Sequence, residues 1–182
     1  MGKIYFALGL MSGTSGDGVD SSIIQTDGMD RFMIKFNNYD PYPSQLSDEI
    51  HIIKEKIQSS SDLAKFKNEI EFLEAKLTTF HANVAKKRIK DMQVDIIGFH
   101  GQTIFHNSEE KISRQLGLGK KLSKLTNKTI VYNFRQNDLK NGGEGAPLAP
   151  IYHNLLVKAF RNNNKLKKKS TVIILNLGGI AN

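Results

Sequence analysis

The 182-residue sequence has no cysteine, which excludes disulfides and thiolate-ligated metal centres and is compatible with a reducing cytoplasm. It also lacks any run of about 18 apolar residues, the minimum for a membrane-spanning helix, so a soluble protein without a membrane partner is expected. The apolar start, MGKIYFALGL, breaks at Ser12, too early for a secretory signal with its cleavage site, and reads as a strand. Long polar tracts are missing as well. With 39% hydrophobic residues, the chain is long enough for one domain with a substantial core and too short for two ordinary ones. Aromatics interleaved with basic residues are absent, which bears on the net charge of +8. Much of that charge sits in two clusters, Lys86, Lys87, Arg88 and Lys90 at a helix end, and Arg161, Lys165, Lys167, Lys168 and Lys169 before a strand. Cations there complement a helix dipole or solvate a connection, so a nucleic-acid partner ranks last.

What is present is organised around Leu8 to Asp20, LGLMSGTSGDGVD. An apolar strand enters a turn of glycine and hydroxyl residues and leaves as a second strand. Gly13, Gly16 and Gly18 permit close backbone approach to an anion, and the hydroxyls of Ser12, Thr14 and Ser15 add donors. Asp17 and Asp20 would repel bare phosphate; they suit Mg²⁺ or its waters, Asp17 above all, or a sugar hydroxyl. The competing reading is a polar hairpin turn with glycines for geometry alone. No Gly-Lys-Ser/Thr follows, which excludes a Walker loop, and the continuation from Val19 to Thr26 reads as a strand, which excludes a Rossmann fingerprint.

Strands are expected at Ile4–Leu10, Val19–Thr26 and Arg31–Asn37, then a helix capped by Ser44 or Ser47 and reaching about Gln58. A longer helix follows from Ser61, with Leu63, Phe66, Ile70, Leu73, Leu77, Phe80 and Val84 forming one apolar stripe. Val94–Phe99 reads as a buried strand that delivers His100, Gly101, Gln102 and Thr103 at its C-terminal end, where ligands of open α/β sheets sit. His100 suits a proton carrier or a sugar contact, against the alternative of a satisfied histidine at a turn. Gln102 and Thr103 suit neutral hydroxyl recognition. His106 lies near, but two histidines do not make a metal site. Thr129–Phe134 is a further strand, followed by Arg135 for an anion or ring oxygen and Asp138 to orient Arg135 or a hydroxyl, against the alternative of a surface ion pair. The loop Asn141–Pro150 demands special backbone geometry, and a helix follows to about Phe160. Thr171–Leu177 reads as a strand entering Gly178 and Gly179. It is apolar enough to need neighbours on both sides, so the sequence reads as cut short there.

Four segments in order, GLMSGTSGDGVD, GFHGQTIFH, NFRQNDLKNGGEGAPLAPIYH and LNLGGIAN, make the chain resemble the anhydro-N-acetylmuramic acid kinases, over the N-terminal half of that family. The resemblance implies an α/β fold, the RNase H-like half of the actin-like, sugar kinase and Hsp70 ATPase fold, with a mixed sheet flanked by helices. Residues 1–164 would be the first domain and 165–182 a linker and the first strand of a second. It implies ATP and Mg²⁺ as cofactors, a small sugar as substrate, water-driven opening of the 1,6-anhydro ring and phosphorylation at O6. Carried over, Gly13, Thr14, Ser15, Gly16, Asp17, Gly18, Val19 and Asp20 fall on the ATP loop. His100, Gln102, Thr103, Arg135 and Asp138 face the sugar. The family's catalytic base is expected after Asn182, so none is assigned in this chain. A separately encoded second half, a non-catalytic remnant and a homodimer are each compatible with this reading. Two positions depart from the family pattern. Gly16 replaces a leucine, which predicts a looser turn by about 0.5 to 1 kcal/mol. Asn133 replaces an aspartate, which predicts weaker pairing with Arg135.

Overall fold

The computed structural model describes residues 3–164 and 171–175, with side chains to Arg161 in the first of these spans. The chain opens with an antiparallel meander, β1 (Tyr5–Ser12), β2 (Gly18–Thr26) and β3 (Phe32–Pro41). The third strand outlasts the expected Arg31–Asn37 because it pairs with β2 along its whole length, from Gly18 opposite Pro41 to Thr26 opposite Phe32. Helices α1 (Ser44–Lys56), α2 (Ser60–Lys65) and α3 (Lys67–Asp91) follow. The single long helix expected from Ser61 is interrupted at Phe66, whose φ of −101° and ψ of 21° leave helical geometry. Its first turn is fixed by Asp62, which accepts from the amides of Gln58 and Ser59, so the capping residue is Ser59 rather than Ser61.

The next strand, β4 (Ile96–Asn107), is the longest. Its first half lies parallel to β1 and to β6 (Thr129–Tyr132), while its second half pairs antiparallel with β5 (Ile112–Leu116). The HGQT segment was expected to follow a strand ending at Phe99, but it lies inside β4. Pairing with β5 from Gln102 onward continues the strand there, past a bulge at His100 and Gly101. Helices α4 (Gly119–Thr126), α5 (Phe134–Lys140) and α6 (Pro150–Asn164) complete the described elements. Phe134 opens α5 rather than closing a strand, because Asn133 takes a left-handed φ of 62° and ends the ladder. Residues 171–175 form no strand: they find no ladder partner among the described residues, and Ile173 stays 87% exposed. The remainder of the expected strand and the turn at Gly178 and Gly179 lie outside the described residues.

The sheet order is β3-β2-β1-β4-β5, with β6 also on β4. This is a mixed sheet flanked by helices, as the resemblance implies. Alternation along β1 divides its faces: Leu8, Leu10 and Ser12 are buried, while Gly9 and Met11 are exposed on the opposite side. The expected stripe of α3 supplies Ile70, Leu73, Leu77 and Val84 to the core, together with Ile50 and Ile53 of α1. The stripe also carries His81, fully buried between Tyr42 and Phe99, with Nδ1 bonded to the carbonyl of Leu77 and Nε2 without a partner among the described residues.

Burial pushes the His81 imidazole down to about 4. An unfolded chain takes up that proton below its ordinary value of about 6.5, whereas the folded chain refuses it until about 4. Stability is therefore full above pH 6.5 and falls as the pH drops, by about 3 kcal/mol in all, with no further His81 contribution below pH 4. Urea unfolding at stepped pH measures this slope, and His81→Leu flattens it.

Candidate functional site

The β1–β2 turn, residues 13–17, is held from behind on nearly every carbonyl. The oxygen of Gly13 accepts from Gln102 Nε2 at 2.9 Å and from the Gly16 amide at 3.2 Å. That of Thr14 accepts from Lys54 Nζ at 2.6 Å, that of Gly16 from Ser47 Oγ at 2.8 Å, and that of Asp17 from the Tyr42 amide at 2.8 Å. By contrast, the amides of Thr14 and Ser15 have no acceptor among the described residues, while that of Asp17 meets its own carboxylate. A trans peptide points its N–H opposite its C=O, so carbonyls fixed at the back leave these amides facing outward. Outward-facing amides of this kind are the donors that anion-binding concavities use.

Gly16 adopts φ of +68°, and a Cβ there would lie 3.0 Å from Ile50 Cγ2. Glycine is thus the residue this left-handed position favours, and the looser turn expected from its replacing a leucine is countered by the bonds from Ser47 and Lys54. Ser15 Oγ donates to Asp17 at 2.6 Å, and this bond chiefly holds the exposed Asp17 carboxyl below its ordinary value, with help from Tyr39. Gly18 and Val19 begin β2, Val19 with its side chain fully in the core; Asp20 stays exposed beside Met11 and Tyr39.

Beneath the turn lies a buried polar network that sequence reasoning did not find. Tyr42 donates to Ser12 Oγ at 2.9 Å, and Ser12 Oγ bonds the carbonyl of Gly18 and Gln102 Oε1. Burial raises the Tyr42 phenol well above its ordinary value, so it stays a donor at neutral pH. Gln102 is fully buried, its amide taken up by the turn. Thr103 lies on β4, where its hydroxyl accepts from Gln115 at 3.4 Å.

His100 is brought to the open face of the sheet by a bulge. Leu10 of β1 pairs with Phe99 and Met11 with Gly101, leaving His100 as the extra residue. Gly101 makes this feasible with φ of +73°, and a Cβ there would lie 2.2 Å from the Leu116 carbonyl. His100 and Phe134 line both of two adjoining clefts. One, of about 750 Å³, runs along Gly9, Met11, Asp20 and Tyr39; the other, of about 930 Å³, runs towards Asp138 and Tyr152. The two clefts therefore meet at His100 and Phe134 on one face of the sheet.

His100 Nδ1 lies 2.8 Å from the Gly101 carbonyl, and Nε2 accepts from Arg135 Nε at 2.9 Å. This places the ring proton on Nδ1. Burial first, and the Arg135 charge second, hold the imidazole below its ordinary value. Arg135 NH1 donates to the Gly145 carbonyl at 3.0 Å, and among the described residues no carboxylate pairs with this half-buried guanidinium. Asp138 instead accepts from the Gly145 amide at 2.8 Å, so it fixes the glycine loop and does not orient Arg135. A half-buried cation without a counter-charge suits an anionic group on a ligand. Titration of the His100 ring by NMR is expected to show a midpoint below 6.5 that rises in Arg135→Gln, as one of its two depressing causes is removed.

A sequence model of the anhydro-N-acetylmuramic acid kinases matches residues 5–182. The chain belongs to this family. It is 52% identical over its whole length to an anhydro-N-acetylmuramic acid kinase of Pelagibacter ubique, covering 48% of that protein. It is 37% identical over 98% of its length to one of Gluconobacter oxydans, covering 47%, and 33% identical over 97% to one of Bradyrhizobium diazoefficiens, covering 48%. The chain thus spans about half the length of the curated relatives it matches. Family membership accords with the mixed sheet and implies use of ATP. No helix among the described residues is long and apolar enough to cross a membrane.

Proposed function

We propose that this chain is the phosphate-loop half of an ATP-dependent kinase acting on anhydro-N-acetylmuramic acid. The observation that carries the reading is the turn at residues 13–17, with its carbonyls bonded from behind and the amides of Thr14 and Ser15 unpaired among the described residues. These donors fit the oxygens of a triphosphate, with the hydroxyls of Thr14 and Ser15 beside them. Mg²⁺ fits less closely. Among the described residues no three acidic or histidine side chains gather, so Asp17 would reach the ion through a water, and Asp20 would offer a second outer contact. When bound, the ion would neutralise charge on the phosphates.

In the proposed reaction, water adds to C1 of the sugar as the C1–O6 bond opens, O6 takes the γ-phosphoryl group and ADP leaves. This chain's part is binding and orientation. The turn holds the donor phosphates; Arg135 and His100, with Asp138 and Thr103 behind them, line the sugar side; Gln102 ties the two together. Arg135 would meet the sugar's anionic substituent, and His100, neutral and fixed by Arg135, would offer hydrogen bonding rather than charge. The base that takes the water's proton is proposed to come from the remaining half of the relatives' length, encoded in line or separately. The test is phosphoryl transfer to anhydro-N-acetylmuramic acid from Mg-ATP, by this chain alone and mixed with the C-terminal half of the Pelagibacter ubique relative. Turnover in the mixture and none with the chain alone is expected; robust turnover by the 182 residues alone would sink the assignment of the base.

A further inference from the structure

One face of α1 is spent on the phosphate turn. Ser47, Ile50, His51 and Lys54 recur at steps of three, four and seven residues, the spacing that puts side chains on a single helical stripe. All four meet the turn. Ser47 Oγ and Lys54 Nζ bond the carbonyls of Gly16 and Thr14, while Ile50 Cγ2 and the His51 ring lie 3.0 and 3.7 Å from where a Gly16 Cβ would stand. The carbonyls involved are not arbitrary. A C=O and the N–H of the next residue belong to the same peptide unit. The bonded carbonyls of Gly13 and Thr14 therefore share peptides with the two unpaired amides, those of Thr14 and Ser15, and the Gly16 carbonyl shares one with the Asp17 amide, which meets its own carboxylate. A donor on the oxygen of a peptide both aims its N–H the other way and polarises it into a stronger donor. Two of the three are neutral, Gln102 and Ser47. The third is an ammonium, and a charged donor polarises more.

We propose that Lys54 is a positioning residue for the anion site: by bonding the Thr14 carbonyl it aims and strengthens the Ser15 amide. This rests on the phosphate reading of the turn. It assigns to a helix that never faces the ligand the control of how well the loop donates. The Lys54 bond is exposed, so by itself it stabilises the fold little, and its effect belongs in loop order and anion affinity rather than in the melting temperature.

The experiment uses the full chain, with Lys54→Met to remove the charge at similar length and Lys54→Arg to restore a cation. Backbone ¹⁵N relaxation of the ligand-free proteins reads the turn directly. In Lys54→Met the order parameters of Thr14 and Ser15 are expected to fall from a rigid value of about 0.85 towards 0.6, with the rest of the sheet unchanged. Titration with Mg-ATP is expected to give about tenfold weaker binding for Lys54→Met. Lys54→Arg is expected to keep both readouts near those of the parent chain. A rigid turn in Lys54→Met overturns the proposal whether or not nucleotide binds. So does equal affinity in Lys54→Met and the parent. Failure of the parent chain itself to bind Mg-ATP, with the relaxation change present, overturns the phosphate reading and leaves the clamp standing.

Discussion

Replacing Gln102 by leucine is expected to lower the unfolding free energy by about 1 to 3 kcal/mol and to abolish the proposed anion binding at the turn. Leucine matches the volume but removes both halves of the amide. The Gly13 carbonyl loses its donor from β4 and keeps only the 3.2 Å bond from Gly16. Ser12, 2% exposed, loses Gln102 Oε1 and falls back on the Gly18 carbonyl, 3.0 Å away. Each group keeps a second partner, so each lost bond costs about 0.5 to 1.5 kcal/mol, and two are lost. The same bonds are the contact between the turn and β4, the strand that carries His100 two residues earlier. Loss of order is therefore expected at the turn while the helices stay intact. Urea unfolding reads the first effect, and amide exchange at residues 13–17 reads the second.

Glu74→Ala is expected to be at least as damaging to stability, for a reason remote from the turn. Glu74, 4% exposed on α3, receives both terminal nitrogens of Arg114 at 2.9 and 2.7 Å and the Gly117 amide at 2.8 Å. Its neighbour one turn on, Thr78, accepts from the Leu118 amide at 3.0 Å. Together they fasten the end of β5 and the start of α4 to α3. Removing one partner of a buried pair leaves the other charge uncompensated, a loss of about 3 to 5 kcal/mol. The guanidinium is 32% exposed, which places the expected value near the lower end, about 3 kcal/mol. For a domain whose whole stability is on the order of 5 to 15 kcal/mol, that shifts the thermal midpoint by several degrees. Glu74→Gln keeps an acceptor for Gly117 and is expected to lose less. Differential scanning calorimetry of the two variants separates the charge from the shape.

The hairpin around the turn was legible because strand periodicity and glycine chemistry are local properties of the sequence. The apolar stripe of α3 was legible for the same reason. The break at Phe66 was not, because a capping box at Ser59 and Asp62 competes with a periodic stripe that runs straight through it. Strand β5 and helix α4 escaped notice because each is short and its support comes from Glu74 and Thr78, more than 30 residues away in sequence. The same applies to the site. His100 was singled out from its place after an apolar run, yet its exposure on the open face depends on a bulge against β1 that only pairing defines. The roles of Ser47, Lys54 and Tyr42 left no signal beyond ordinary helix and turn composition. What could have pointed to Ser47 and Lys54 is their seven-residue spacing on one side of α1.

The central claim is that the turn at residues 13–17 receives nucleotide phosphates. It is tested most directly by following every assigned backbone amide while Mg-ATP is added to the full chain. Saturable shifts concentrated on Thr14 and Ser15, weakened in Gln102→Leu, are the predicted result. No saturable binding, or shifts that saturate elsewhere and leave those two amides in place, would contradict it.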